Sequence, residues 1–224
     1  MAELPARDDR LSAAVAKAAA VYTPFTLSFY DVIVHGLSNR FAWLCPTQKL
    51  IELYATSLSA NHLEAGVGTG LFIDRAADAA FDRLVLLDIN PSCLARAGRR
   101  IERFAPQPWQ ANLLEPLNAD IAQFDSVALT YVLHCLPGRM EEKLKVLDHL
   151  RPLMRERAVL FGATILGRGI DPSPAAKKLL AFYNAKGIFN NGADDQSALE
   201  AGLRQRFQTV EIERQGCVAI FRAS

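Results

Sequence analysis

Residues 62–70, running from His62 to Gly70, put one carboxylate and three glycines where a small charged ligand would be gripped. Glu64 closes an apolar lead-in, and Gly66, Gly68 and Gly70 then alternate. Eighteen residues after Gly70 stands Asp88, at the end of Leu86-Leu87-Asp88. Glycines so spaced let the backbone turn sharply and approach a ligand with no Cβ in the way. An acid at the tip of the following strand accepts hydrogen bonds from the two hydroxyls of a ribose. Together these residues describe a nucleoside-binding crevice at the carboxyl ends of the first two strands of an α/β sheet.

The dinucleotide pattern Gly-x-Gly-x-x-Gly shares two of these glycines and fails in both frames. Counted from Gly66 its third glycine falls on Leu71, and counted from Gly68 it falls on Ile73. A pyrophosphate also wants bare backbone N–H groups at a helix N-terminus, and Glu64 nearby would repel it. A ligand carrying an ammonium and a sulfonium would be attracted by that carboxylate. S-adenosylmethionine carries both charges.

On these residues the chain resembles the class I S-adenosylmethionine-dependent methyltransferases. Leu63-Glu64-Ala65-Gly66-Val67-Gly68-Thr69-Gly70 is similar to the family's glycine-rich first motif, and Leu86-Leu87-Asp88-Ile89 to its acidic second-strand tip. Phe124-Asp125-Ser126-Val127-Ala128-Leu129-Thr130 is similar to its fourth strand, and the likeness spans about residues 61–165. The resemblance implies a Rossmann-like, doubly wound, seven-stranded α/β sheet closed by an antiparallel C-terminal hairpin. It implies S-adenosylmethionine as cofactor and S-adenosylhomocysteine as product. Gly66, Gly68 and Gly70 would then cradle the cofactor, Glu64 would address its methionyl ammonium and Asp88 its ribose, with Ile89 against the adenine. Many members place an acid at the end of the third strand to accept from the adenine amino group. This chain has Asn112-Leu113 there, and the amide oxygen of Asn112 can still accept that bond. Thr130 and Tyr131, ending the fourth strand, would lie where the methyl group emerges.

The elements that must position these residues follow from periodicity and breakers. Strands are expected at 61–65, 83–88, 107–111, 125–130 and 157–165, with helices at 70–80, 91–103 and 139–150 between them. Such alternation argues for a parallel sheet with helices on both faces. Before it, helices are expected at about 9–21, 24–35 and 47–58, the last with Pro46 at its start. After it come helices at 173–187 and 194–206, then strands at 207–214 and 216–222 meeting at Gln215-Gly216. The chain reads as one methyltransferase domain over residues 1–224. Its parts are an N-terminal helical cap (1–60), a cofactor-binding core (61–165), a substrate-side insert (166–193) and a last helix with the closing hairpin (194–224).

Composition bounds the remaining choices. The 224 residues are 50% hydrophobic with a formal net charge of +1, which offers no basic face for nucleic acid. No stretch approaches the roughly 20 apolar residues of a membrane span, and the N-terminus does not read as a signal peptide. Four cysteines and four histidines are dispersed without a Cys-x-x-Cys pair, so no metal site is expected. The expected location is the cytoplasm, with reduced thiols. Oligomeric state is not legible.

The acceptor site is expected in the two segments outside the core. Tyr22, Tyr30 and Tyr131 could orient a phenol, carboxylate or heterocycle, and Phe182, Tyr183 and Phe189 could line an apolar pocket. The alternative is that these aromatics pack the added helices onto the sheet. The fourth-strand tip, Thr130-Tyr131-Val132-Leu133, lacks the Asn/Asp-Pro-Pro-aromatic pattern of amino-methylating nucleic-acid enzymes. For a general base, His134 is the first candidate and His35 the second, while His62 and His149 read as structural. The leading expectation is methyl transfer to oxygen or nitrogen of a small apolar or aromatic metabolite. Carbon stays open through a short N-terminal likeness to quinone-biosynthesis C-methyltransferases. The alternatives are a nicotinamide-dependent oxidoreductase and a non-catalytic cofactor-binding protein.

Overall fold

A computed structural model describes residues 38–78, 80–118 and 120–224. The helices expected at about 9–21 and 24–35 lie outside the described residues. Residues 38–42 make one wide helical turn, closed by Trp43 N–H on the Ser38 carbonyl at 2.8 Å. Helix α1 (Thr47–Ser57) follows Pro46 and buries Leu50, Tyr54 and Ser57, whose spacing puts them on one face.

Seven strands form one sheet: β1 (Asn61–Ala65), β2 (Arg83–Asp88), β3 (Gln107–Gln110), β4 (Phe124–Thr130), β5 (Met154–Ile165), β6 (Val210–Gln215) and β7 (Val218–Ala223). Their order across the sheet is β3-β2-β1-β4-β5-β7-β6. The first five pair in parallel, while β7 runs antiparallel to both β5 and β6. The central strands β1, β2 and β4 are almost wholly buried, as strands covered on both faces must be. The edges carry residues that resist further pairing. Pro108 interrupts the donors of β3, and Glu211, Glu213 and Arg214 line β6.

Helices α2 (Leu71–Ala76) and α3 (Pro91–Arg100) join α1 on one face. There Tyr54, Leu84, Leu86, Leu94 and Phe161 share a core. Helices α4 (Met140–Lys143), α5 (Lys145–Leu150) and α7 (Gln196–Arg204) cover the other face over Leu63, Val127, Leu147 and Leu203. The expected single helix at 139–150 is thus two short ones, broken at Leu144. Helix α6 (Pro174–Ala185) belongs to the segment between β5 and α7. Caps fix the helix starts. Asn90 accepts from Ser92 N–H with Pro91 as first helical residue of α3, and Asp195 accepts from Ala198 N–H on α7. No helix among the described residues is long and apolar enough to cross a membrane.

Candidate active site

The glycine loop springs from β1 at the carboxyl edge of the sheet. Gly66, Gly68 and Gly70 have φ of +79°, +54° and +73°, a region that side-chain-bearing residues rarely enter. Their surroundings differ. A Cβ on Gly66 would overlap Val132 Cγ2, and one on Gly70 would press on Ala97, whereas one on Gly68 would meet nothing. Gly66 and Gly70 therefore allow close packing, and Gly68 leaves backbone facing open space. Arg100 of α3 braces the loop between them, donating to the Thr69 carbonyl at 3.0 Å and its hydroxyl at 2.9 Å.

Asp88 ends β2 beside this loop. Asn90 N–H donates to its Oδ1 at 2.9 Å. Burial pushes its carboxyl up to about 6, against the opposing pull of backbone N–H groups from Asn90, Gly68, Val67 and Ile89. Gln110 ties down the neighbouring Ile89 through its carbonyl, at 3.2 Å. Past β3, the Asn112 side-chain oxygen accepts from Leu114 N–H at 3.1 Å and its amide donates to Glu115 at 3.2 Å. That oxygen keeps a second lone pair. Leu113 is buried, and its carbonyl meets His149 Nδ1 at 2.8 Å.

Glu64 is buried on the face of β1 that carries α1. Its Oε1 accepts from the Tyr54 hydroxyl at 2.6 Å, and its Oε2 lies 3.2 Å from His62 Nε2. His62 Nδ1 continues to Ser126 Oγ at 2.8 Å, which reaches Ser59 Oγ at 2.8 Å. His62 and His149 are thus both held in structural bonds. Nothing in the spacing of α1 marks Tyr54 out, since it reads as one more core-facing position four residues after Leu50.

The tip of β4 holds the strained residue of the site. Tyr131 has φ +61°, costly for a bulky side chain and a mark of a position fixed by its surroundings. Its N–H bonds the Ala163 carbonyl at 2.7 Å and its hydroxyl donates to Asn39 Oδ1 at 3.0 Å. The Thr130 hydroxyl just before it is buried beside that of Tyr54 and finds no well-aligned partner.

The next turn, a short 3-10 helix at Leu133–Cys135, carries His134. Its ring meets Phe189 edge-on at 4.5 Å and Tyr131 at 5.6 Å, and Phe189 in turn packs on Tyr183 at 4.8 Å and Trp43 at 6.1 Å. Phe182 is 52% exposed, at the outer edge of this group beside Tyr183. Of the expected acceptor-site residues, Tyr131, His134, Tyr183 and Phe189 are therefore assembled. Phe182 is peripheral, and Tyr22, Tyr30 and His35 lie outside the described residues.

The setting of His134 weighs against the expectation that it serves as general base. Burial, reinforced by the Lys143 cation, pushes its imidazole down to about 3. Its Nδ1 already accepts from Ile165 N–H at 3.3 Å, with Thr164 Oγ1 at 3.4 Å. Such a ring is kept neutral and is a poor proton acceptor at ordinary pH.

A buried ion pair, absent from the sequence reading, fixes the loop that bears Phe189. Lys143 of α4, fully enclosed, donates to Asp194 Oδ2 at 2.5 Å and to the Asn190 carbonyl at 2.8 Å. Asn190 N–H bonds the His134 carbonyl at 2.8 Å, and the Asn191 amide bonds the Ile165 carbonyl at 2.9 Å.

Comparison with known proteins agrees with this geometry. Residues 63–160 match the family described as methyltransferase domain. The demethylluteothin O-methyltransferase of Streptomyces thioluteus is 37% identical over 203 residues, covering 90% of this chain and 88% of that protein. A physcion biosynthesis cluster O-methyltransferase of Aspergillus chevalieri is 34% identical over 206 residues, covering 91% and 93%. The N-methyltransferase NodS of Bradyrhizobium japonicum WM9, solved with S-adenosylhomocysteine, shares the fold at a TM-score of 0.60. It is 15% identical, with 89% of this chain and 96% of that one covered. The nicotinamide-dependent and non-catalytic alternatives give way: this chain belongs to the class I S-adenosylmethionine-dependent methyltransferases.

Proposed function

We propose that the chain transfers the methyl group of S-adenosylmethionine to a hydroxyl oxygen on a small aromatic or enolic metabolite. The observation that carries this reading is the aromatic group Tyr131, His134, Tyr183 and Phe189 gathered just past the β4 tip. The two relatives of highest identity named above, both O-methyltransferases, support oxygen over nitrogen or carbon.

The crevice suits the cofactor, because Gly68 presents bare backbone to open space beside a carboxyl placed for ribose hydroxyls. In this reading Gly66, Gly68 and Gly70 shape the cradle and Asp88 binds the ribose. Glu64 serves the methionyl ammonium, while Ile89, Asn112 and Leu113 border the adenine. Thr130 faces the reacting end. Bound there, the cofactor supplies an electrophilic methyl on a cationic sulfur.

The protein's part is alignment. Holding nucleophile, methyl and sulfur collinear can supply roughly 7–11 kcal/mol of the barrier. The Tyr131 hydroxyl and the aromatic wall would orient the acceptor ring. A phenol or enol acidic enough to ionise near neutral pH needs no base, which suits a neutral His134. Residues 38–60 and the segment 166–193 would complete the pocket. We place the enzyme in the cytoplasm, with neither nucleic acid nor membrane as partner; a formal net charge of +1 gives no overall attraction to a polyanion.

The test is turnover on matched scaffolds that carry a hydroxyl, an amine or neither on the same ring. Methylation confined to the hydroxylated member is expected. Turnover of the amine alone would overturn the oxygen assignment.

A further inference from the structure

The polar chain behind the glycine loop, running from Ser59 through Ser126 and His62, converges on the Glu64 carboxylate. Tyr54 reaches the same carboxylate. Its ring is clamped between Phe72 of α2, stacked at 5.2 Å, and Phe161 of β5, edge-on at 5.0 Å. The hydroxyl is therefore delivered to a fixed point, 2.6 Å from Glu64 Oε1. His62, itself pinned by Ser126, approaches the other oxygen at 3.2 Å. A carboxylate has about four acceptor positions, so two held positions leave others for a ligand while removing the side chain's rotational freedom. The donor on α1 lies ten residues before the carboxylate it orients, so this hydrogen bond joins α1 to the end of β1 that leads into the glycine loop. Phe72, which stacks on the same ring, follows Gly70 by two residues, so Tyr54 contacts the loop's exit as well as its entry.

We propose that Tyr54 is a positioning residue for the cofactor's amino-acid end: its hydroxyl fixes the Glu64 carboxylate in the orientation that receives the methionyl ammonium. This rests on the assignment of Glu64 made above. Preorganisation of this kind gives affinity by sparing the ordering of a side chain at the moment of binding. The benefit should reach only ligands that carry the ammonium.

Two probes separate the ends of the cofactor. S-adenosylhomocysteine has the amino-acid tail, and methylthioadenosine shares the nucleoside but lacks it. Calorimetric titration of wild type, Tyr54→Phe and Glu64→Gln with both is the experiment. Tyr54→Phe should weaken S-adenosylhomocysteine about tenfold, the worth of a hydrogen bond to a charged group, and leave methylthioadenosine unchanged. Glu64→Gln should do at least as much, with the same selectivity. If Glu64→Gln collapses the preference for the tailed ligand and Tyr54→Phe does not, the positioning role is wrong while the Glu64 assignment stands. If Glu64→Gln leaves the preference intact, the Glu64 assignment itself fails and takes the proposal with it. Equal weakening of both ligands by Tyr54→Phe would mean a general packing role and overturns the proposal. Should Tyr54→Phe not fold, 3-fluorotyrosine at position 54 of the otherwise native protein answers the same question. Its fluorine resonance should move with S-adenosylhomocysteine and stay with methylthioadenosine, and an equal response to both would contradict the proposal.

Discussion

The imidazole of His134 meets the ring of Phe189 at 4.5 Å between centroids and 70° between planes, an edge-to-face contact inside the aromatic group past β4. The partner is held there by a loop that also bonds the His134 carbonyl through Asn190 N–H. Burial pushes the His134 imidazole down to about 3, which keeps the ring neutral and favours a shaping role over proton transfer. His134→Gln should therefore raise the acceptor KM several-fold and leave the pH profile of kcat unchanged. A base would instead show a fall of about 10²–10⁴-fold with loss of the acid limb. Steady-state kinetics from pH 5.5 to 8.5 distinguish the two.

With Asp88 in the proposed ribose role, cofactor affinity should depend on pH. The Asp88 carboxyl sits at about 6, raised by burial, and ribose hydroxyls donate to the ionised form. The carboxylate is mostly formed above pH 6 and mostly lost below, so affinity should fall as pH falls. Between pH 7 and pH 5 the expected weakening for S-adenosylhomocysteine is about tenfold. Asp88→Asn should bind more weakly and with no such slope, as titrations at the two pH values would show.

The three glycines are not equivalent. Gly66→Ala drives a methyl into Val132 and should destabilise the fold by several kcal/mol. Gly68→Ala meets nothing and carries only the cost of a left-handed alanine, about 1–3 kcal/mol. Its main effect should be on cofactor binding, because the methyl enters the space where the ligand would lie. Urea unfolding and calorimetry on both variants check the division.

Lys143 and Asp194 form a pair whose side chains have no solvent-exposed surface. Lys143→Met leaves Asp194 buried and unpaired and should cost about 3–5 kcal/mol. Lys143→Met combined with Asp194→Leu should recover most of that stability, because neither charge is left alone. Thermal unfolding of wild type, single and double variants measures the coupling.

The sheet was legible because its strands are short apolar runs bounded by glycine, proline and acid signals. β1 and β2 begin and end where periodicity places them. β5 starts at Met154 rather than 157, because the exposed Arg155, Glu156 and Arg157 extend the strand without contributing to its apolar pattern. β6 starts at Val210 rather than 207, since Phe207 turns into the core beneath α7 instead of pairing. In the site, the residues on the glycine loop and strand tips were legible because a local turn dictates them. Tyr54, Asn39 and the Lys143–Asp194 pair were not. Asn39 meets Tyr131 across 92 residues and Lys143 meets Asp194 across 51, and no local pattern encodes such partners. The burial of His134, which weighs against its expected role as a base, is not reported by any periodicity at a strand end.

The most direct test of the account is the position of the transferred methyl on a substrate that offers every choice. An aromatic metabolite bearing a free hydroxyl, a free amine and an activated ring carbon is incubated with the enzyme and carbon-13-methyl S-adenosylmethionine, and the product is read by NMR. A single labelled methyl on oxygen is expected. A label on nitrogen or on ring carbon, with the hydroxyl untouched, would contradict it.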